Sequence, residues 1–232
     1  MASINISMST KALCLASHAF AGKYDRTGRE PAVCHSLRVE AGVRKHDEIT
    51  RVIALLHDTV EDTAVTAADI ANEFAEFGED AAAEIVAGVL SVTRGYTERS
   101  TGNMVFSPPP ADTVCDCPHR KCVNNLHRYD KELYRDFVAR SKANPRGRHV
   151  KIADISDNCS PARIEGLSED EKGIVDERYA PALAFLLDPD PNAAYLTAKQ
   201  IERIRLKEQA AAGREAETDM RAEADRKWEE GR

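Results

Sequence analysis

The chemistry-bearing residues of this chain crowd into His57-Asp58-Thr-Val-Glu61-Asp62, directly after the apolar run of Val52, Ile53, Leu55 and Leu56. On one continuous helix His57 and Glu61 share a face, as do Asp58 and Asp62, because side chains four apart stack one turn above another. A charge bordering a core costs several kcal/mol unless something compensates it. A divalent cation is the simplest compensation for an imidazole set among carboxylates. The plainer alternative is a helix end with solvated acids and one hydrogen-bonded histidine. The dipeptide His-Asp alone fits that alternative, whereas H-D-x-x-E-D after an apolar run is much rarer.

Three further stretches carry reactive side chains. Lys151-Ile-Ala-Asp154-Ile-Ser-Asp-Asn158 puts Asp154 and Asn158 four apart, on one helix face, in a stretch whose apolar positions include Val150, Ile152 and Ile155. The loop 23–31 carries Arg26 beside Gly28 and Arg29, a pattern able to grip phosphate or simply to face solvent. Cys115, Cys117, His119 and Cys122 place four soft or borderline ligands within eight residues, which suits a small tetrahedral zinc site in the spacing C-x-C-x-H-x-x-C. A reduced cysteine-rich loop is the alternative. If zinc is bound there, it pins an insertion of about residues 95–128 that has no core of its own.

The elements that must position these groups read as helices. Ser9 or Thr10 caps a first helix to about Ala21. Pro31 opens a second that carries His35, with Val33, Leu37, Val39 and Ala41 apolar and Arg38 and Glu40 facing solvent. A central helix covers residues 47–60. Thr66 with Asp69 predicts a capping box for a helix to about 77, stopped at Gly78, and Asp80 to Val92 forms the next. The Gly-, Thr- and Pro-rich stretch 95–126 breaks the pattern. Helix resumes from Tyr129 to about Lys142, Asn144-Pro-Arg-Gly147 reads as a turn, and the Asp154 helix follows. Ser168 with Glu171 predicts a second capping box, with Pro181 at a kink or junction. Strand-like alternation nowhere lasts more than a few residues. The expected fold is therefore all-α: a helical domain over 1–190 with an irregular insertion, then a charged helical tail over 191–232.

Composition narrows the class. With 42% hydrophobic and 31% charged residues the 232-residue chain reads as a globular protein with a polar surface. A net charge of −7 weighs against nucleic acid as a partner. No apolar run reaches the ~18–20 residues of a membrane span. The first residues, Met1-Ala-Ser-Ile-Asn-Ile-Ser, lack the pattern of a secretory signal, so the expectation is a cytoplasmic protein with reduced or metal-bound cysteines. Nothing in the pattern speaks to oligomeric state.

Taken together, four separated segments resemble a known family: the HD-domain hydrolases of the RelA/SpoT type, and especially the small stand-alone enzymes that remove the 3'-diphosphate of (p)ppGpp. The segments are Gly22-Lys-Tyr-Asp-Arg26 through His35, the His57 to Asp62 motif, Thr93-Arg94, and Lys151 to Asn158, and the likeness spans about residues 9–187. The resemblance implies an HD-domain helical bundle. It implies one divalent ion, usually manganese, on His35, His57, Asp58 and Asp154, with Glu61 and Asp62 handling the attacking water. It assigns phosphate contacts to Arg26, a nucleoside contact to Asn158, and less defined basic roles to Arg94 and Lys151. The substrate is then a small-molecule nucleotide. Ser36 stands where the family usually has proline, Ala32-Val33 replace Tyr-Ile, and the cysteine-bearing insertion borders the pocket. The insertion leaves open another nucleotide, such as a dNTP or NADPH. A non-catalytic nucleotide sensor is the reading from a different class, and the presence of both Glu61 and Asp62 weighs against it.

Overall fold

A computed structural model describes residues 6–25, 28–106, 129–207 and 209. Arg26 and the cysteine cluster of the insertion lie outside the described residues, so the assignments of phosphate binding and of zinc to them stay sequence expectations. The described chain is mostly helical. In order come α1 (Met8–Ala19), α2 (Val33–Gly42), α3 (Glu48–Leu56), α4 (Thr59–Asp62), α5 (Ala67–Phe74) and α6 (Glu79–Val92). Then follow β1 (Tyr96–Glu98), β2 (Met104–Val105) and β3 (Tyr129–Lys131). The chain continues with α7 (Tyr134–Ala143), α8 (Pro145–Asn158), α9 (Pro161–Ile164), α10 (Glu169–Ile174) and α11 (Ala180–Leu187). No helix among the described residues is long and apolar enough to cross a membrane.

Local rules explain most boundaries. Both predicted capping boxes form, Thr66 with Asp69 at α5 and Ser168 with Glu171 at α10. Gly78 stops the α5 segment with φ 107°, a conformation that strains other residues. The first helix starts earlier than expected: Ser7 accepts from the Thr10 amide, so Ser9 and Thr10 lie inside α1. Asn144-Pro-Arg-Gly147 is the first turn of α8 and not a separate turn, since the Asn144 carboxamide caps the Gly147 amide at 2.8 Å and Pro145 needs no donor there. The expected helix from Tyr129 starts only at Tyr134, because 129–131 pair with β1 as an antiparallel strand.

The second helix turns differently from its apolar pattern. Leu37 is exposed, whereas Glu40 is buried, because its carboxylate meets Arg51 Nε of α3 at 2.6 Å. A paired charge can occupy a core position that an unpaired one cannot. That rotation carries His35 inward, 7% exposed.

The apolar residues form two clusters. The larger one gathers residues of α1, α2, α3, α5 and α6, with Val150 of α8. The smaller one joins Val138 of α7 and Ile155 of α8 to α11. α8 therefore belongs to both and fixes one against the other. At the base of the insertion, β1 lies between β2 and β3. Arg140 of α7 binds both oxygens of buried Glu132, at 3.0 and 2.7 Å, and also the Thr93 carbonyl at 2.8 Å. This stem is pinned by main-chain pairing and an ion pair, independently of any metal.

α6 crosses α3 at Gly88, where an added Cβ would overlap the Ile53 side chain, itself fully buried. Gly88→Ala is therefore expected to destabilise by about 1–3 kcal/mol through overpacking. Gly173→Ala in α10 meets nothing within 4 Å and should be neutral or stabilising by up to about 1 kcal/mol. Thermal melts of the two variants compare the predictions directly.

Candidate active site

α2, the α3–α4 turn and α8 converge on one point. The apolar run of α3 ends at Leu56. His57 and Asp58 form a turn before the short α4, so the expected single helix over 47–60 is broken at the two residues that matter most. Breaking it lets His57 stay in the core at 1% exposure while Asp58 opens toward a cavity. His35 comes from α2 and Asp154 from α8.

The distances among these groups are short. His35 Nε2 lies 3.2 Å from His57 Nε2 and 3.1 Å from Asp154 Oδ1. His57 Nε2 lies 3.1 Å from Asp58 Oδ2 and 3.9 Å from Asp154 Oδ1, and His35 Nε2 is 3.7 Å from Asp58 Oδ2. Ligand atoms of His35, His57 and Asp58 all fall within 4.8 Å of one another. Ligand-to-metal bonds of about 2.0–2.2 Å place neighbouring ligand atoms roughly 3 Å apart, which is the spacing of the closest pairs.

Where the lone pairs point decides whether a divalent ion suits these groups. The Nδ1 of His57 faces the Ala54 carbonyl at 2.8 Å, and a carbonyl only accepts, so that nitrogen carries a hydrogen. The Nδ1 of His35 faces Asp157 Oδ2 at 2.7 Å. Burial pushes the Asp157 carboxyl up, but hydrogen bonds from His35 and Arg38 outweigh it and hold it at about 2, so it accepts as well. Both imidazoles are thereby committed to donate through Nδ1, and their Nε2 atoms face each other. A cation between them resolves that arrangement, and two imidazoles with two carboxylates form a donor set that suits manganese, zinc or iron.

Without an ion, a proton does the same work. Burial would lower the His35 pKa, yet hydrogen bonds to Asp154 and Asp157 raise it to about 9. Burial likewise opposes ionisation of Asp58, but the nearby His57 charge holds its carboxyl at about 2. Asp154 is held well below the usual carboxylate range: its burial is outweighed by the Lys151 ammonium, 2.8 Å away, and by the His35 hydrogen bond. Asn158 donates to Asp154 Oδ1 at 2.6 Å, confirming the shared face of that pair.

A cavity of about 280 Å³ opens over this cluster. Four carboxylates line it, those of Asp58, Glu61, Asp62 and Asp154. So do five cations, Arg94, Lys131, Lys151, Arg163 and Arg178, together with Tyr134, Tyr179 and Asn158. The structure thus brings together His35, His57, Asp58, Glu61, Asp62, Arg94, Lys151, Asp154 and Asn158 from three helices, the turn at His57 and the connection after α6. Glu61 Oε2 accepts from the Arg94 amide at 3.0 Å, tying α4 to the end of α6. The Arg94 guanidinium is spent partly on the Glu132 carbonyl, at 2.7 and 2.9 Å.

Sequence reading missed several participants. Asp157 is the most telling. Besides His35 it meets Arg38 Nε at 2.7 Å and Arg163 Nη1 at 3.1 Å. Its signal was its place three residues after Asp154, on an adjoining face of the same helix. Lys131, Arg163 and Arg178 lie on elements with no motif. Arg178 and Tyr179 reach the cavity from a π-helical turn over 175–179, a distortion that no sequence pattern announced.

No protein-family model matches this sequence, and no curated protein matches it significantly. Among solved structures the chain is similar to one described as "A metazoan ortholog of SpoT hydrolyzes ppGpp and plays a role in starvation responses". That likeness has 19% identity and a TM-score of 0.48, over 89% of this chain and 98% of that one. A likeness this distant carries no argument about what the chain does.

The raised His35 pKa has a signed consequence for the metal-free protein. A group protonated more readily in the folded state stabilises fully below its unfolded pKa and ceases to do so as pH rises through its folded one. For His35 that window runs from about 6.5 to about 9. Melting curves of metal-free protein should fall in Tm across this range, and His35→Gln should flatten the fall. An unchanged slope in His35→Gln contradicts the assignment.

Proposed function

We propose that the chain is a metal-dependent phosphohydrolase whose reaction is removal of the 3'-diphosphate of (p)ppGpp as pyrophosphate, leaving GDP or GTP. The observation that carries the hydrolase reading is the pair of histidine Nε2 atoms turned toward each other between Asp58 and Asp154, beside a cavity lined by both carboxylates and cations. The substrate is supported by the four sequence segments that resemble the stand-alone alarmone hydrolases. Their residues, Arg26 aside, come together at this cavity.

His35, His57, Asp58 and Asp154 would hold the ion, with manganese the best match to the resemblance. When bound, it supplies a Lewis acid that lowers the pKa of a water and polarises a phosphoryl oxygen. Glu61 and Asp62, which line the same cavity as Asp58, orient the attacking water and accept its proton. Water adds at phosphorus, the bond from phosphorus to the nucleoside 3'-oxygen breaks, and that oxygen takes up a proton as it leaves. Lys151, Arg163 and Arg94, which line the same cavity, stabilise charge gathering on the phosphoryl oxygens. Asn158 orients Asp154 through its amide hydrogens and has its amide oxygen for the nucleoside. Asp157 fixes His35 in the tautomer that presents Nε2.

Turnover of purified protein with manganese on ppGpp, with dNTPs and NADPH alongside, tests the reading. Pyrophosphate with GDP from ppGpp is the expected result. Cleavage of a different nucleotide keeps the metal chemistry and overturns the substrate. No turnover with the ion bound overturns the hydrolase reading itself.

Two variants divide the roles. Asp58→Ala should lose ion binding and turnover together. Glu61→Gln keeps an acceptor for the Arg94 amide, so it should retain the ion and lose about 10²–10⁴-fold in turnover. Wild-type rates in Glu61→Gln sink the role given to that carboxylate. Asp157→Ala is expected to weaken ion binding by about 10–100-fold, read by calorimetric titration of the metal-free protein.

A further inference from the structure

Tyr134 is the first residue of α7, just after the insertion stem, and it lines the cavity. Its ring is held firmly. Phe137 packs edge-on at 6.1 Å and Tyr179 lies tilted at 6.5 Å. The guanidinium groups of Arg94 and Arg178 stand 5.9 and 6.0 Å from the ring centre. The hydroxyl oxygen is buried and has no hydrogen-bond partner among the described residues. Buried polar atoms are almost always paired, and an unpaired one costs about as much as a lost hydrogen bond.

The surroundings specify what is missing. Lys151 and Arg178 can only donate, and the Arg94 guanidinium already gives two hydrogen bonds to the Glu132 carbonyl. Lys151 and Asp154 line the same cavity as Tyr134. Burial and the Asp154 charge push the phenol's pKa well above its ordinary value, so the group keeps its hydrogen. A fixed O–H among cations lacks an acceptor, and the acceptor compatible with those cations is an anionic oxygen.

We propose that the Tyr134 hydroxyl donates a hydrogen bond to a non-bridging oxygen of the substrate's diphosphate, making Tyr134 a substrate-contacting residue of this site. The inference rests on the phosphohydrolase reading for its substrate, but its test does not need turnover. Asp154, Lys151 and the histidines are already engaged with one another, so Tyr134 adds a donor the ion-binding cluster does not use.

Tyr134→Phe tests it in the full chain, using inorganic pyrophosphate as the probe, by equilibrium dialysis at fixed micromolar manganese. The expected result is pyrophosphate binding weakened by about 10-fold to 100-fold, the loss of one hydrogen bond to a charged group. Manganese affinity should be unchanged, and the ligand-free Tm unchanged or raised, since an unpaired buried hydroxyl is removed. Pyrophosphate affinity within twofold of wild type overturns the proposal, as does a wild-type protein that binds no pyrophosphate. A lowered Tm accompanied by weaker manganese binding also overturns it, because the hydroxyl then supports the fold. If Tyr134→Phe loses pyrophosphate while wild type turns over no nucleotide, the contact stands and the hydrolase reading falls. If wild type cleaves ppGpp and Tyr134→Phe binds pyrophosphate normally, the reverse holds.

Discussion

Two imidazoles cannot turn unprotonated Nε2 atoms toward each other across 3.2 Å without a positive charge between or upon them. This constraint organises the molecule. Ala54 and Asp157 each commit an Nδ1 to donation, so neither ring can escape by changing tautomer. Asp58 and Asp154 add negative charge at the same point. The cluster is therefore short of one cation by construction, and His35 takes a proton when nothing else is bound. A buried ionic cluster is weak support for stability by itself, because its desolvation cost rivals its internal attraction. Its persistence in a core position points to binding.

The rest of the fold serves the relative placement of α2 and α8, which carry His35 and Asp154. Gly42 of α2 lies against α8, where an added Cβ would come within 3.0 Å of Ala153 Cβ. Close backbone approach of this kind fixes distance more rigidly than long side chains do. α8 in turn is held from both sides, by Val150 in the larger cluster and Ile155 in the smaller. Between those faces run Lys151, Asp154 and Asn158, whose mutual bonds span one helical turn. Arg38 extends the frame outward: it joins Asp157 to Glu30, on the loop that precedes α2.

What the sequence disclosed follows from how local each cause is. Capping boxes at Thr66 and Ser168 are three-residue events and were legible, as was the shared face of Asp154 and Asn158. The broken helix at His57 was not, because the break satisfies a core and a cavity that only tertiary packing creates. Glu40 looked like a surface residue since its partner Arg51 is eleven positions away. β3 was hidden in a helical pattern because its partner strand lies at the opposite end of the insertion, some thirty residues away in sequence. The residues that gather at the cluster could be named from motif resemblance, yet the two hydrogen bonds that orient the histidines could not. One is to a main-chain carbonyl, which no side-chain pattern reports. The other comes from Asp157, one position away from a motif residue that drew attention instead.

The cavity is lined by charges of both signs. Its carboxylates come from α4, α8 and the turn before α4, and its cations from α8, the stem, α9 and the π-helical turn. A site that bound only a metal ion would gain nothing from five cationic groups in its lining, since they oppose the ion's own charge. A site that bound only an anion would gain nothing from four carboxylates there. Both sets are favourable together when the occupant itself carries both signs, as an ion coordinated to an anionic ligand does.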